Sequence, residues 1–398
     1  MTRSILISGA GIGGPSLAFW LGQLGYHVTV VEQAAGLRTG GAAAVDFRGE
    51  QVALLERMGV LDDIRTQQTG MGDQLVVDGD GRTLTRFPSA LFSGEVEIDR
   101  GDLSRILYEH SRNDAEYVFG DRITGIGEHE NGVDVTFARG GARTFDLVIG
   151  ADGLHSAVRR LAFGDESSFR TDLGYYVAAF SMPNSFGLDH SGLIHNEPSR
   201  YLSISSGRDS DRAMIGFVFA APPQEYDRRD ADAQKRIVTA HFADVGWKAP
   251  ELLAALRDAE DLYFDSLSQI RLDNWSTGRV ALLGDAAWCA GPGGNGTGHA
   301  MLGAYTLAGE LATADGDHRL AFTRYEQIMR PTVEKSQKFA ANAGRFLAPA
   351  TEWQIRRRNF TYRILSSPVM SGIFTRMSAK SANTGALESY PLPATAVR

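Results

Sequence analysis

The stretch that decides the fold reads Ser4-Ile5-Leu6-Ile7-Ser8-Gly9-Ala10-Gly11-Ile12-Gly13-Gly14. Its first five residues have the apolar pattern of a buried strand, and its glycines fit G-x-G-x-x-G. Apolar residues then recur at helical spacing, at Leu17, Ala18, Leu21 and Leu24. A second strand pattern ends at Glu32, 18 residues after Gly14. The sequence therefore predicts a strand–helix–strand unit with a dinucleotide-binding turn.

Each glycine of that turn, and the acidic residue after it, has a physical reason. Gly9 permits the tight turn, Gly11 lets the backbone approach a pyrophosphate closely, and Gly14 lets the helix pack on the strand. The helix N-terminus then offers free N–H groups to the phosphate. Glu32 can accept hydrogen bonds from an adenosine ribose, which argues against a 2′-phosphate there. The alternative is a plain glycine-rich turn in an unrelated α/β fold.

A second match to the same pattern, at Gly291, Gly293 and Gly296, has a different context. Residues 284–290 separate it from its strand, so a tight strand-to-helix turn cannot be built. These glycines are interpreted as a loop that closely surrounds a ligand.

Bulk properties narrow the class of protein. The 398 residues carry a net charge of -8, with 40 basic and 48 acidic side chains. The composition therefore lacks the excess of positive charge that is typical of nucleic-acid binding. Cys289 is the one cysteine of the sequence, which excludes an intrachain disulfide and a cysteine-based metal cluster. The sequence has neither a leader pattern nor an apolar stretch of membrane-spanning length, and we expect a cytoplasmic protein without bound metal.

The middle of the chain is predicted to be rich in strands. Asp78-Gly79-Asp80-Gly81 between two strand patterns indicates a hairpin turn; a calcium loop is the alternative, but its other ligands are missing. Residues 173–220 have the pattern of several strands, and helical patterns return at 231–243 and 250–256.

Two further segments each place a motif after a strand. Asp146-Leu147-Val148-Ile149-Gly150-Ala151-Asp152-Gly153 is followed by a helix pattern, and Gly284-Asp285 follows the strand pattern at 279–283. With the glycine turn, they resemble the group A flavoprotein monooxygenases, the para-hydroxybenzoate hydroxylase-like family. Within it, the chain is similar to the short branch that includes tetracycline-inactivating and polyketide-tailoring hydroxylases. The resemblance extends to about residue 375 and includes Arg100-Gly101-Asp102-Leu103.

The resemblance implies an α/β fold: an FAD-binding Rossmann-like (GR2-type) domain with an inserted β-rich substrate domain and a C-terminal helical segment. Residues 1–72, 97–172 and 265–330 would form the discontinuous FAD-binding domain. Residues 73–96 and 173–264 would form the substrate-binding domain, and residues 331–398 the C-terminal helices and a loose tail.

The resemblance also implies the residues that hold non-covalent FAD. The ADP half would contact Gly9, Gly11, Gly14 and Glu32, and its ribose or phosphates would contact Arg38 and Arg100. Asp285 would accept from the ribityl chain, and Asp152-Gly153 would support FAD and the transient pyridine nucleotide. The helix that begins near Gly296, after a loop with Pro292 and Gly294, would aim its N-terminus at the flavin pyrimidine edge.

Several of these residues have a second interpretation. Asp152 and Arg159 could cap and pair at a helix start, and Arg38 and Arg100 could be surface charges. Cys289 lies beside the expected flavin, where a covalent link is conceivable but a buried inert thiol is the commoner case.

The chain departs from the family pattern in the glycine loop. Trp288 stands where the family often has His, and the loop is one residue shorter than usual. The Asn commonly found just after the loop glycines is absent, since Gly298-His299 stands there. These departures predict that the pyrimidine end of the flavin is held differently.

The function implied by the resemblance is that of a monooxygenase that hydroxylates an aromatic or polyketide-like small molecule. NADPH or NADH would reduce FAD, O2 would add at the flavin C4a, and the hydroperoxide would transfer one oxygen atom. No catalytic residue is predicted, and the protein would be a monomer or homodimer. The alternatives are an FAD-dependent oxidase or dehydrogenase on the same fold, and a non-catalytic flavin-binding protein.

The residues that contact the substrate are predicted from strand alternation. One face of Tyr201 and Ser203, and one face of Phe217 and Phe219, would line a pocket for a planar substrate. The same residues could equally be ordinary core.

Overall fold

A computed structural model describes residues 3–37, 44–91, 93–293, 295–366 and 387–391. Arg38 and Gly294, both predicted to contact FAD, lie outside these ranges. Of the residues described, none belongs to a helix both long enough and apolar enough to cross a membrane.

The strands of the described ranges are β1 Ser4–Ser8, β2 His27–Glu32, β3 Ala44–Phe47, β4 Gln74–Val77, β5 Thr83–Phe87, β6 Val96–Asp99, β7 Ala115–Phe119, β8 Ile123–His129, β9 Gly132–Phe137, β10 Ala142–Phe145, β11 Leu147–Gly150, β12 Arg170–Pro183, β13 Ser191–Glu197, β14 Arg200–Ser206, β15 Arg212–Ala220, β16 Tyr263–Ile270, β17 Ser276–Thr277 and β18 Val280–Leu282. The helices are α1 Gly13–Gln23, α2 Glu50–Met58, α3 Leu61–Thr66, α4 Arg100–Ser111, α5 Ala157–Ala162, α6 Ala231–Phe242, α7 Ala249–Asp258, α8 Asp285–Trp288, α9 Gly296–Thr313, α10 His318–Ala340, α11 Ala343–Leu347 and α12 Glu352–Leu365.

A six-stranded sheet brings the three sequence motifs together. Its strand order is β17-β18-β11-β1-β2-β7, and β1 pairs in parallel with both β2 and β11, while β11 pairs in parallel with β18. The strands β1, β11 and β18 are almost entirely buried, as their uninterrupted apolar sequences predict. Because the strands are parallel, the motifs after β1, β11 and β18 all lie at the carboxyl edge of one sheet.

A seven-stranded sheet with the order β16-β12-β15-β14-β13-β4-β5 forms the second layer. The predicted hairpin is confirmed, since β4 and β5 pair antiparallel and the Asp78 carboxylate accepts from the N–H groups of Asp80 and Arg82. The strand β16 crosses the predicted domain boundary at 264/265 and pairs with β12 on both sides of it, with a register shift between Asp172 and Tyr176. The division into domains remains a prediction.

One segment near the C-terminus packs against the rest of the protein, which the sequence did not predict. Residues 387–391 were predicted to be part of a loose tail, but they pack against α9. The Tyr390 ring lies against Gly309, where a Cβ would be 2.2 Å from it, and its hydroxyl donates to the Glu310 carboxylate at 2.8 Å. The Tyr390 ring therefore occupies space that a side chain at position 309 would fill.

Candidate functional site

In the turn after β1, the steric surroundings differ from one glycine to the next. Gly9 has φ +106°, and a Cβ there would lie 2.5 Å from the Ala151 carbonyl oxygen. At Gly14 a Cβ would lie 1.9 Å from the Gly9 carbonyl oxygen. A Cβ at Gly11, in contrast, would meet none of the described residues within 4 Å. Gly9 and Gly14 are therefore required by the backbone, whereas Gly11 faces open space in which a ligand fits.

Glu32 fastens this turn to the end of β2. Its carboxylate accepts from the N–H groups of Ala10 at 2.9 Å and Ala34 at 2.8 Å. Each oxygen uses one lone-pair direction and keeps the other for a further donor, such as a ribose hydroxyl. The helix α4, which begins at Arg100, is tied to the same turn because the Ser104 hydroxyl donates to the Gly11 carbonyl at 3.4 Å.

Asp152 caps α5. Its carboxylate accepts from the N–H groups of Ala157 at 2.8 Å and Val158 at 3.2 Å, and from the Ser156 hydroxyl. Burial raises the pKa of Asp152, although these hydrogen bonds oppose the shift. The structure thus shows the capping role that the sequence left as an alternative, while contact with a cofactor stays a prediction. Next to it, Gly153 has φ +80°, and a Cβ there would contact none of the residues in the described ranges.

A buried arginine connects this segment to the motif after β18. The Arg159 guanidinium is fully buried and donates to the carbonyls of Leu154 at 2.6 Å and Ala286 at 2.9 Å, and to the Glu166 carboxylate at 2.9 Å. Its position therefore fixes α8, and with it Asp285, relative to the Asp152-Gly153 segment.

Asp285 and the start of α9 are adjacent. A Cβ at Gly296 would lie 3.4 Å from Asp285 Oδ1, and α9 begins at Gly296 with no side-chain cap. Between them, Pro292 is partly buried in the glycine loop. The approach to the loop is held by Gln269, which donates to the Ala290 carbonyl, and by Gln337, which donates to the Ile270 carbonyl, both at 2.8 Å.

The two unusual residues before the loop both point into the core. Cys289 is buried, its thiol donates to the Ser268 carbonyl, and burial together with Asp285 raises the pKa of the thiol. A protonated, buried thiol is a poor nucleophile, which favours the inert role. Trp288 is packed against Trp275, with ring centroids 4.4 Å apart.

The residues predicted for a substrate pocket lie on two faces of the seven-stranded sheet, which corrects the prediction. Tyr201 pairs with Val218, and Leu202 pairs with Phe217. Residues opposite each other share a face, so Phe217 and Phe219 lie on the face of Leu202, away from Tyr201 and Ser203. They are fully buried, and both rings contact Phe242 of α6. Phe217 and Phe219 are therefore core residues of the helix-covered face.

Two residues near the site belong to none of the three sequence motifs. Tyr263 is 47% exposed, yet local desolvation of its phenol raises the pKa, and Asp265 and Asp285 add to this, while Arg100 opposes it. The phenol thus lies within electrostatic range of Arg100 and Asp285, which come from different elements. Gln51 of α2 lies against Gly298 of α9.

These residues fit FAD. A Cβ at Gly11 would fill the open space in front of the turn, α1 and α9 both begin without a side-chain cap, and Glu32 stands at the end of β2. Uncapped N–H groups suit phosphate and flavin oxygens, and a carboxylate suits ribose hydroxyls. The fold and the site together define a Rossmann-type dinucleotide-binding flavoprotein.

Comparison with known proteins identifies the family. Residues 2–340 match the family described as FAD binding domain, and the chain belongs to it. A flavin-dependent monooxygenase from an unknown prokaryotic organism is 38% identical over 340 residues, 84% of this chain and 87% of that protein. Flavin-dependent monooxygenase eupH from Phoma sp is 34% identical over 389 residues, 88% of this chain and 89% of that protein. The crystal structure of tetracycline destructase Tet(51) is 34% identical with a TM-score of 0.83, and the match covers 98% of this chain and 99% of that one.

These findings confirm the α/β fold class, the binding of FAD and the resemblance to group A flavoprotein monooxygenases. The protein is therefore an enzyme, an FAD-dependent monooxygenase. The contacts of individual residues with FAD remain predictions.

The two glycines of the turn can be separated by experiment. In Gly14→Ala the new methyl group collides with the Gly9 carbonyl, so we expect the free energy of unfolding of the apoprotein to fall by about 2–4 kcal/mol. In Gly11→Ala the methyl group meets only open space, so we expect the apoprotein to stay within about 0.5 kcal/mol of wild type. Urea unfolding and FAD titration measure both effects. FAD affinity of Gly11→Ala should fall at least about tenfold; wild-type affinity in that variant would contradict the assignment.

A pH-dependent contribution to stability is expected from His155. Burial works to lower its pKa, but hydrogen bonds to Asp265 at 3.1 Å and Glu166 at 3.0 Å give a net rise. Since the folded-state pKa lies above the unfolded value of about 6.5, the stabilisation is complete below that pH and declines as the pH rises through the folded-state pKa. The loss of unfolding free energy in His155→Gln should therefore be largest in acid and shrink above about pH 6.5.

The matched control is His129→Gln, which removes a more exposed histidine paired with Asp134 at 3.5 Å. Its effect on unfolding should be small at every pH. A pH-independent loss in His155→Gln would mean that the histidine acts only through packing.

Proposed function

We propose that this monooxygenase uses NADPH or NADH and O2 to hydroxylate an aromatic or polyketide-like small molecule. The observation that carries the substrate class is an apolar face of the seven-stranded sheet directly beside the glycine loop. This face includes Leu173, Tyr175, Val177, Tyr201 and Leu267, and Leu347 and Ala348 at the end of α11 pack on part of it. A Cβ at Gly291 would lie 3.2 Å from the Leu173 side chain, so the face is continuous with the loop.

One end of this face is polar. The Arg358 guanidinium lies over the rings of Phe87 at 5.1 Å and Phe346 at 5.6 Å, and donates to Asn196 Oδ1 at 2.6 Å. Burial lowers the pKa of Arg358 to about 10, so it stays charged at neutral pH. Its charge acts on the Tyr201 phenol. An apolar wall that ends in a phenol and a guanidinium suits a flat ring system that carries oxygen substituents.

When bound, FAD supplies the redox chemistry by taking two electrons from the pyridine nucleotide and using them to activate O2. In balance, substrate, O2, NAD(P)H and a proton give hydroxylated substrate, NAD(P)+ and water. This chain would bind the flavin at the carboxyl edge of the six-stranded sheet, orient the substrate on the apolar face and exclude water from the reacting atoms. The cytoplasmic location and the monomeric or homodimeric state stay predictions.

The proposal is tested with the purified FAD-loaded enzyme. Oxidation of NADPH and of NADH is followed with and without a panel of phenols, tetracyclines and other polyketides. We expect a member of the panel to accelerate consumption and to gain one oxygen atom by mass spectrometry. Steady consumption that yields only hydrogen peroxide with every compound would argue for an oxidase instead.

The substrate face can be tested against the core face of the same sheet. Tyr201→Ala should raise KM for the best substrate about tenfold, because it removes an aromatic contact on the apolar face. Phe217→Ala, one strand away on the core face, should lower the free energy of unfolding by about 3–5 kcal/mol and leave substrate preference unchanged. Steady-state kinetics and urea unfolding distinguish the two. An unchanged KM in Tyr201→Ala would place the substrate elsewhere.

A further inference from the structure

A buried carboxamide lies at the start of α9. Gln51 of α2 is only 5% exposed, and among the described residues its Oε1 atom meets no hydrogen-bond partner. A buried carbonyl that lacks a donor destabilises the folded protein, because it has lost its hydrogen bonds to water. A polar atom that the fold leaves unpaired in this way indicates a ligand that pairs with it.

The side chain rests on Gly298, in the first turn of α9. A Cβ at position 298 would lie 2.3 Å from Gln51 Cδ, 2.4 Å from Nε2 and 2.5 Å from Oε1. The carboxamide thus occupies the space that a side chain at position 298 would need. The family resemblance places an Asn just after the loop glycines, where this chain has Gly298-His299.

We propose that Gln51 contacts the flavin, and that its carboxamide takes the place of an Asn side chain at position 298. The assignment depends on FAD binding and not on the substrate proposed above. It makes Gln51 a flavin-binding residue contributed by α2, an element outside the three motifs.

The chemistry of the ring edge explains why a carboxamide is needed. The pyrimidine edge of oxidised flavin carries an N–H group between two carbonyl oxygens. The N–H groups at the start of α9 can only donate, so they can serve the carbonyl oxygens but not the flavin N–H. A glutamine side chain offers an acceptor as well as donors. The unpaired Oε1 of Gln51 supplies the acceptor that the helix cannot.

The test exchanges the carboxamide between the two positions. Apoprotein is titrated with FAD, and flavin fluorescence gives the dissociation constant for wild type, Gln51→Ala, Gly298→Asn and the double variant. Loss of one hydrogen bond in Gln51→Ala should weaken FAD binding about three- to tenfold. Gly298→Asn alone should also bind FAD weakly, because its Cβ collides with Gln51. In the double variant the Asn side chain gains space and restores a carboxamide, so affinity should return to within about twofold of wild type.

Two controls separate flavin contact from packing. Gln234→Ala removes another buried glutamine, which donates to the Arg228 carbonyl in the layer of α6, and should leave FAD affinity unchanged. Gln51→Met keeps the volume but removes the unpaired carbonyl, so the apoprotein should be at least as stable as wild type while FAD binding weakens.

Either of two results would overturn the proposal: wild-type FAD affinity in Gln51→Met, or a double variant that binds no better than the single variants. Wild-type protein that fails to bind FAD would instead contradict the flavoprotein assignment itself, so the two failures are distinguishable.

Discussion

The nucleotide site depends on one close backbone contact, that of Gly14 with the Gly9 carbonyl. With a virtual Cβ only 1.9 Å from that oxygen, the two segments approach as closely as glycine alone allows. This contact sets the position of α1 on β1 and therefore the direction of the N–H groups at its start. Gly9 in turn lies against the backbone of Ala151, so the turn after β1 also limits the path of the chain after β11.

The parallel sheet brings three distant motifs to one edge, and side chains then fix their distances. Glu32 holds the glycine turn, Asp152 holds the start of α5, and Arg159 joins α5 to α8. The Arg159 guanidinium is fully buried, and its charge is balanced by Glu166. Breaking a buried pair of this kind leaves an uncompensated charge, which makes the arrangement costly to disturb. The site is thus held rigidly by side-chain hydrogen bonds within the protein itself.

The elements that could be predicted from the sequence are those whose patterns are local. The strand and helix around Gly9 to Gly14, the hairpin at Asp78 and the strand before Asp285 all follow from neighbouring residues. The face of Phe217 could not be predicted, because alternation defines two faces but not the pairing of adjacent strands. Odd-numbered residues of β14 pair with even-numbered residues of β15, a register that the segment between the strands sets. The position of Gln51 beside Gly298 could not be predicted for a similar reason, because the two residues are distant in sequence.

Packing within the protein accounts for two departures from the family pattern, Trp288 and Gly298. Trp288 fills a core position beside Trp275 and Tyr325. Gly298 lacks a side chain because α2 occupies that space with Gln51. At position 298 a neighbouring element provides the carboxamide, in keeping with the proposed role of Gln51. A binding site can therefore keep its set of donors and acceptors while the residues of its motif change, provided that another element packs closely enough to supply the missing group.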